Sequence, residues 1–122
     1  MITSPQQRLN NHLTVWDREI REHDAVVHQY GERKADLEYQ RAVIKQTVMV
    51  RNEKLSAARA EIFADSNEEV HRLHKEFRAA EATIEAKKLR LRWCAAVADA
   101  LRSEISTERA QSQLYANDRS TP

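Results

Sequence analysis

Three groups of residues have the types and spacing that chemistry requires. Glu68, His71 and His74 set a carboxylate and two imidazoles within two turns, the opening of a metal-binding constellation. A di-iron bundle would need a second Glu-x-x-His and two further carboxylate helices. None is available, since His12, His23 and His28 each lack a glutamate three residues earlier. These residues therefore read as solvated side chains near a turn, with no metal and no cofactor expected. Cys94 lies in an apolar stripe with no base beside it, so a small buried side chain is expected rather than a nucleophile. The third group is basic. No acid occurs from 39 to 52, where Arg41, Lys45 and Arg51 stand, or from 86 to 98, where Lys87, Lys88, Arg90 and Arg92 precede or flank Trp93.

Composition narrows what could position such groups. The chain has 122 residues, 41% hydrophobic and 32% charged, with 20 basic against 19 acidic side chains and a net charge of +1. Its one glycine rules against phosphate-cradling loops and dinucleotide folds, which need several. A β-rich fold would require turns with positive φ, and no Asn-Gly or Asp-Gly pair occurs. The single cysteine allows no intrachain disulfide, as in a reducing compartment. Residues 1–20 include Asn10, His12, Asp17 and Arg18 where a secretory segment would be apolar, and the longest uncharged apolar run, 93–98, is too short for a membrane span. A cytoplasmic protein with no membrane partner and no small-molecule substrate is expected.

The elements follow from period and caps. Ser4 can cap a helix with Pro5 first inside it and Gln7 closing a capping box. Steps of four and three then run through Leu9, Leu13, Trp16, Ile20, Val27, Leu37, Ile44, Val48, Leu55 and Ile62, with twelve of sixteen stripe positions apolar. This period is that of a coiled-coil seam. Gly31 is where this helix would kink or break, and because the stripe passes it unshifted, one helix over about 5–63 is favoured. Ser66 and Glu69 suggest a second capping box after a turn at about 64–67. From there Leu73, Phe77, Ile84, Leu91, Leu101 and Ile105 carry a matching stripe in a helix over about 67–115, with 117–122 as a frayed polar tail.

The expected fold is all-α: a single elongated unit, a long antiparallel helical hairpin packed as a coiled coil. Apolar residues off the stripe, among them Val15, Val43, Phe63, Leu89, Trp93, Val97 and Leu114, imply a wider buried face and a homo-oligomeric bundle. A three-helix fold broken at Gly31 is the alternative. With the turn centred near 65, position i of the first helix lies beside about 130 minus i of the second. That pairing joins the two basic segments into a mid-rod belt of seven cations without an acid. Arg41, Lys45, Lys88, Arg90 and Arg92 would then contact a phosphate backbone and Trp93 would stack on a base. The competing reading is a solvated face with snorkelling stems.

Two resemblances add to this. Residues 111–115, Gln-Ser-Gln-Leu-Tyr, resemble the Gln-x-x-Leu-aromatic peptide that binds bacterial sliding clamps, though here they continue a helical stripe. The Ala- and Arg-rich run from Arg78-Ala79-Ala80-Glu81-Ala82 through Lys87-Lys88-Leu89-Arg90-Leu91-Arg92 to Leu101-Arg102-Ser103 resembles small coiled-coil proteins of tailed phages and prophages of actinobacteria, over roughly residues 32–109. The resemblance implies a non-enzymatic accessory role with a phage or host protein as partner, some such proteins lying among replication and recombination genes. It transfers no catalytic residue. The sequence thus points to a helical interaction protein or adaptor, with a DNA-binding accessory as the alternative.

Overall fold

A computed structural model describes residues 3–120, in which all regular structure is helical: α1 (Pro5–Arg51), α2 (Ala57–Asp65) and α3 (Glu68–Ser120). The chain is therefore all-α. At the start of α1 the capping box forms in both directions. Gln7 N–H donates to Ser4 Oγ at 3.2 Å and Ser4 N–H to Gln7 Oε1 at 3.1 Å. The helix runs through Gly31 without a break, and a Cβ built there meets nothing within 4 Å.

The first helix ends at Arg51 instead of near residue 63. Asn52 ends it, because the Asn52 side-chain oxygen accepts from Lys54 N–H at 3.2 Å and its carbonyl from Leu55 N–H at 3.0 Å. Ser56, extended at φ −69° and ψ 156°, then caps α2 by accepting from Arg59 N–H at 3.2 Å. No described residue has a positive φ, so the chain turns here without a glycine. Leu55 and Ile62 keep the spacing of the α1 stripe across this segment, but Leu55 is only partly buried and Ile62 is exposed.

The interruption at 66–67 also differs from the expected turn. Ser66 closes α2, its hydroxyl donating to the Ile62 carbonyl at 2.8 Å. Asn67 caps α3, its side-chain oxygen accepting from Glu69 N–H at 2.9 Å and Val70 N–H at 3.2 Å. Glu69 turns away to the Arg72 guanidinium, so the Ser66–Glu69 box does not form. At the other end, α3 continues to Ser120, past the expected stop at 115, so 117–120 is helical and 121–122 lies outside the described residues.

The chain divides into two compact units, one made of the described residues up to Glu22 with those from Lys87 onward, the other of His23–Ala86. In the second unit Leu37, Val70 and Leu73 are buried, with Ile44 and Phe77 packed against them and the Tyr30 and Phe77 rings 5.0 Å apart. Arg33 pairs with Glu76, Arg41 with Asp65 and Lys45 with Glu61, so position i of α1 lies beside 106 to 109 minus i, on both α2 and α3. Direction reverses at 52–56, not at 64–67. In the first unit Leu9, Ala98 and Leu101 form the core, with Trp16, Val97 and Ile105 against it.

Candidate interaction faces

The seam in the first unit is part polar. His12, 8% exposed, donates from Nε2 to the Cys94 carbonyl at 2.7 Å, and its ring meets Trp93 edge-on at 5.5 Å. Cys94 itself is fully buried, as a small side chain where the two helices approach. Glu19, 6% exposed, lies between Lys87 Nζ at 3.4 Å and Arg90 Nε at 3.5 Å. Lys87 also reaches Glu22 at 2.5 Å, and the Arg90 guanidinium sits over the Trp93 ring at 4.5 Å. Lys87 holds the Glu22 carboxyl below the usual carboxylate range, first through the hydrogen bond and then through charge. The same hydrogen bond to Glu22 raises the Lys87 ammonium above its ordinary value.

The α3 stripe is realised through Ile105. Leu73, Ile84 and Leu101 are buried and Phe77, Leu91 and Ile105 partly so, whereas Glu108, Ser112 and Tyr115 are exposed. On α1 only alternate members hold. Leu9 and Leu37 are buried and Trp16, Ile44 and Val48 partly buried, but Leu13, Ile20 and Val27 are exposed by 39%, 43% and 43%. The intervening seam positions go instead to His12 and Glu19 in the first unit and to Val26, Arg33 and Gln40 in the second. Four of these five are charged or neutral polar side chains that a hydrophobic stripe passes over, and the α3 partners of His12, Glu19 and Arg33 become visible only once the reversal is placed at 52–56.

That shift also undoes the pairing behind the basic belt. Arg41 is paired with Asp65 at 3.0 Å and Lys45 with Glu61 at 3.2 Å. Lys87 and Arg90 have Glu19 and Glu22 as α1 neighbours, not the 41–45 segment. Lys88 and Arg92 are exposed, and Trp93 is half exposed beneath Arg90. In the second unit His71 and His74 border a cavity of about 370 Å³ with Val70 and the Arg41–Asp65 pair. Among the described residues no three metal-ligating side chains converge, there or elsewhere.

Exposed apolar side chains stand on both units. On α3, Leu89 is 63% exposed, Trp93 47% and Leu114 67%, on the side away from the buried row of Cys94, Ala98 and Leu101. In the second unit Val43, Val50, Ile62 and Phe63 are exposed around the reversal. No helix among the described residues is long and apolar enough to cross a membrane. Comparison of the chain with protein-family models, with curated proteins and with solved structures gives no match.

Proposed function

We propose that the chain is a non-enzymatic helical interaction protein of the kind its sequence resembles in tailed phages, acting through coiled-coil self-association and through a partner protein of the phage or its host. The observation that carries this reading is the second row of α3. An inner row is consumed within the chain, and an outer row containing Leu89, Trp93 and Leu114 faces water. Helices with two apolar rows are built to pack on two sides. Antiparallel pairing within each unit supports the coiled-coil part of the proposal, since α1 and α3 bury positions at steps of three and four in both. The nucleic-acid alternative loses its main support, because four cations of the imagined belt are paired with carboxylates.

The test is the mass of the purified chain by sedimentation equilibrium from about 1 to 100 μM. A multiple of 14.2 kDa is expected, and a monomer throughout that range overturns self-association. Salt-titrated fluorescence anisotropy with short DNA is the companion measurement. Micromolar binding that weakens steeply with salt would restore the nucleic-acid reading.

A further inference from the structure

Resting on the self-association just proposed, the geometry points to a second copy of this chain as the occupant of the outer row of α3, packed antiparallel to it over residues 89–114. Local exposure sets the need. Leu89, Trp93 and Leu114 stand 63%, 47% and 67% exposed on one face of α3 within a single unit, and apolar side chains aligned along one helix face are covered by a partner helix.

The outer row explains why the occupant is α3 itself. Four pairs of exposed positions on this row have residue numbers that sum to the same value: Leu89 with Leu114, Trp93 with Ala110, Ala96 with Thr107, and Ala100 with Ser103. Two α3 helices placed about a two-fold axis level with Leu101 and Arg102 bring all four pairs together, each twice. The bulky Trp93 then meets Ala110 of the partner subunit, small residues line the centre where the backbones come closest, and leucines close both ends. A parallel pair would instead set Trp93 on Trp93 and Ala96 on Ala96, holding the helices apart beside a void. Flanking positions accommodate the antiparallel arrangement: Arg90 and Arg92 come beside Gln111 and Gln113, and Asp99 beside Ser106.

Past Ile105 every described α3 side chain is exposed, although the backbone stays helical to Ser120. A helical end of this length is marginal in water unless its apolar side chains are covered. The antiparallel copy covers Leu114 with its Leu89.

The experiment uses Ala96→Cys and Thr107→Cys, each alone and the two co-expressed, with mild oxidation and the native chain as blank, its Cys94 being fully buried. In the proposed dimer position 96 faces 107, while like positions lie about 16 Å apart along the axis, beyond the roughly 7 Å reach of a disulfide. Cross-linked dimer is expected from the co-expressed pair and not from either variant alone. A dimeric native chain whose co-expressed variants fail to cross-link, or whose single variants cross-link equally, overturns the α3 pairing and leaves self-association through another face. A monomeric native chain overturns both. Leu89→Glu with Leu114→Glu should also raise the dissociation constant at least tenfold with helix content unchanged. Unaltered affinity would contradict the outer row.

Discussion

The two units are built from stretches of the same two long helices, yet they fill their seams differently. In residues 23–86 the fully buried positions are aliphatic, Leu37, Val70 and Leu73 among them, and the ion pairs Arg33–Glu76, Arg41–Asp65 and Lys45–Glu61 are all partly exposed. In the other unit the seam buries His12 and Glu19 beside Leu9, Ala98 and Leu101. Aliphatic contacts stabilise, but they tolerate sliding by a heptad. A buried imidazole that must find one carbonyl, and a buried carboxylate that must find two cations, are satisfied in a single register. The first kind of seam supplies stability, and the second supplies alignment.

The largest effect is expected where the seam is aliphatic. Leu73→Ala removes a buried side chain from the Leu37–Val70 cluster and should cost about 2–5 kcal/mol in urea denaturation. A loss under 1 kcal/mol would show that this cluster is not the main support of its unit. His12→Ala should cost less, about 1–3 kcal/mol, and His12→Leu sharpens the comparison. The Cys94 carbonyl sits inside α3 and keeps its helical bond from Ala98 N–H, so leucine leaves no orphaned acceptor. Stability within about 1 kcal/mol of native is expected, together with weaker preference for one helix register, read as line broadening in amide NMR spectra. A leucine variant as unstable as the alanine one would make the His12 bond a stabiliser after all.

The same contrast explains which parts of the fold could be read from residues. All-helical structure, the cap at Ser4–Gln7 and the α3 seam from Val70 to Ile105 were legible because apolar periodicity and capping chemistry coincide there. The α1 seam was half legible. Apolar Leu13, Ile20 and Val27 drew the stripe to one side, while buried His12 and Glu19 and partly buried Arg33 lie on the other and become sensible only opposite Cys94, Lys87 and Glu76. The reversal at 52–56 was missed because Asn52 and Ser56 act through local side-chain bonds, with neither glycine nor proline to mark them. Every pairing across the helices depends on that turn, so the error carried over to the basic belt.

A smaller effect, of opposite sign, tests whether α1 depends on flexibility at Gly31. The position is helical, and an added Cβ has open space around it. Gly31→Ala should therefore stabilise by about 1 kcal/mol through helix propensity alone. A raised thermal midpoint with unchanged oligomer mass is expected. If the midpoint falls, α1 bends at Gly31 in solution.

The smallest effect concerns Lys87, which joins the aligning seam to solvent through Glu22. Lowering the Glu22 pKa means that its share of stability is present above the ordinary carboxylate range and is lost as pH falls through the depressed folded value. Raising the Lys87 pKa means that its share is present below about 10.4 and is lost as pH rises through the elevated folded value. The pair should thus contribute a plateau across the neutral range with losses at both ends. Because the Glu22 side chain is 46% exposed, the contribution is screened by salt. Thermal midpoints of the native chain and Lys87→Met, compared from pH 3 to 9 at low salt, should differ most on the plateau and converge towards pH 3. A gap that persists unchanged at pH 3, or is untouched by 1 M salt, would assign the role of Lys87 to its packed stem instead of its charge.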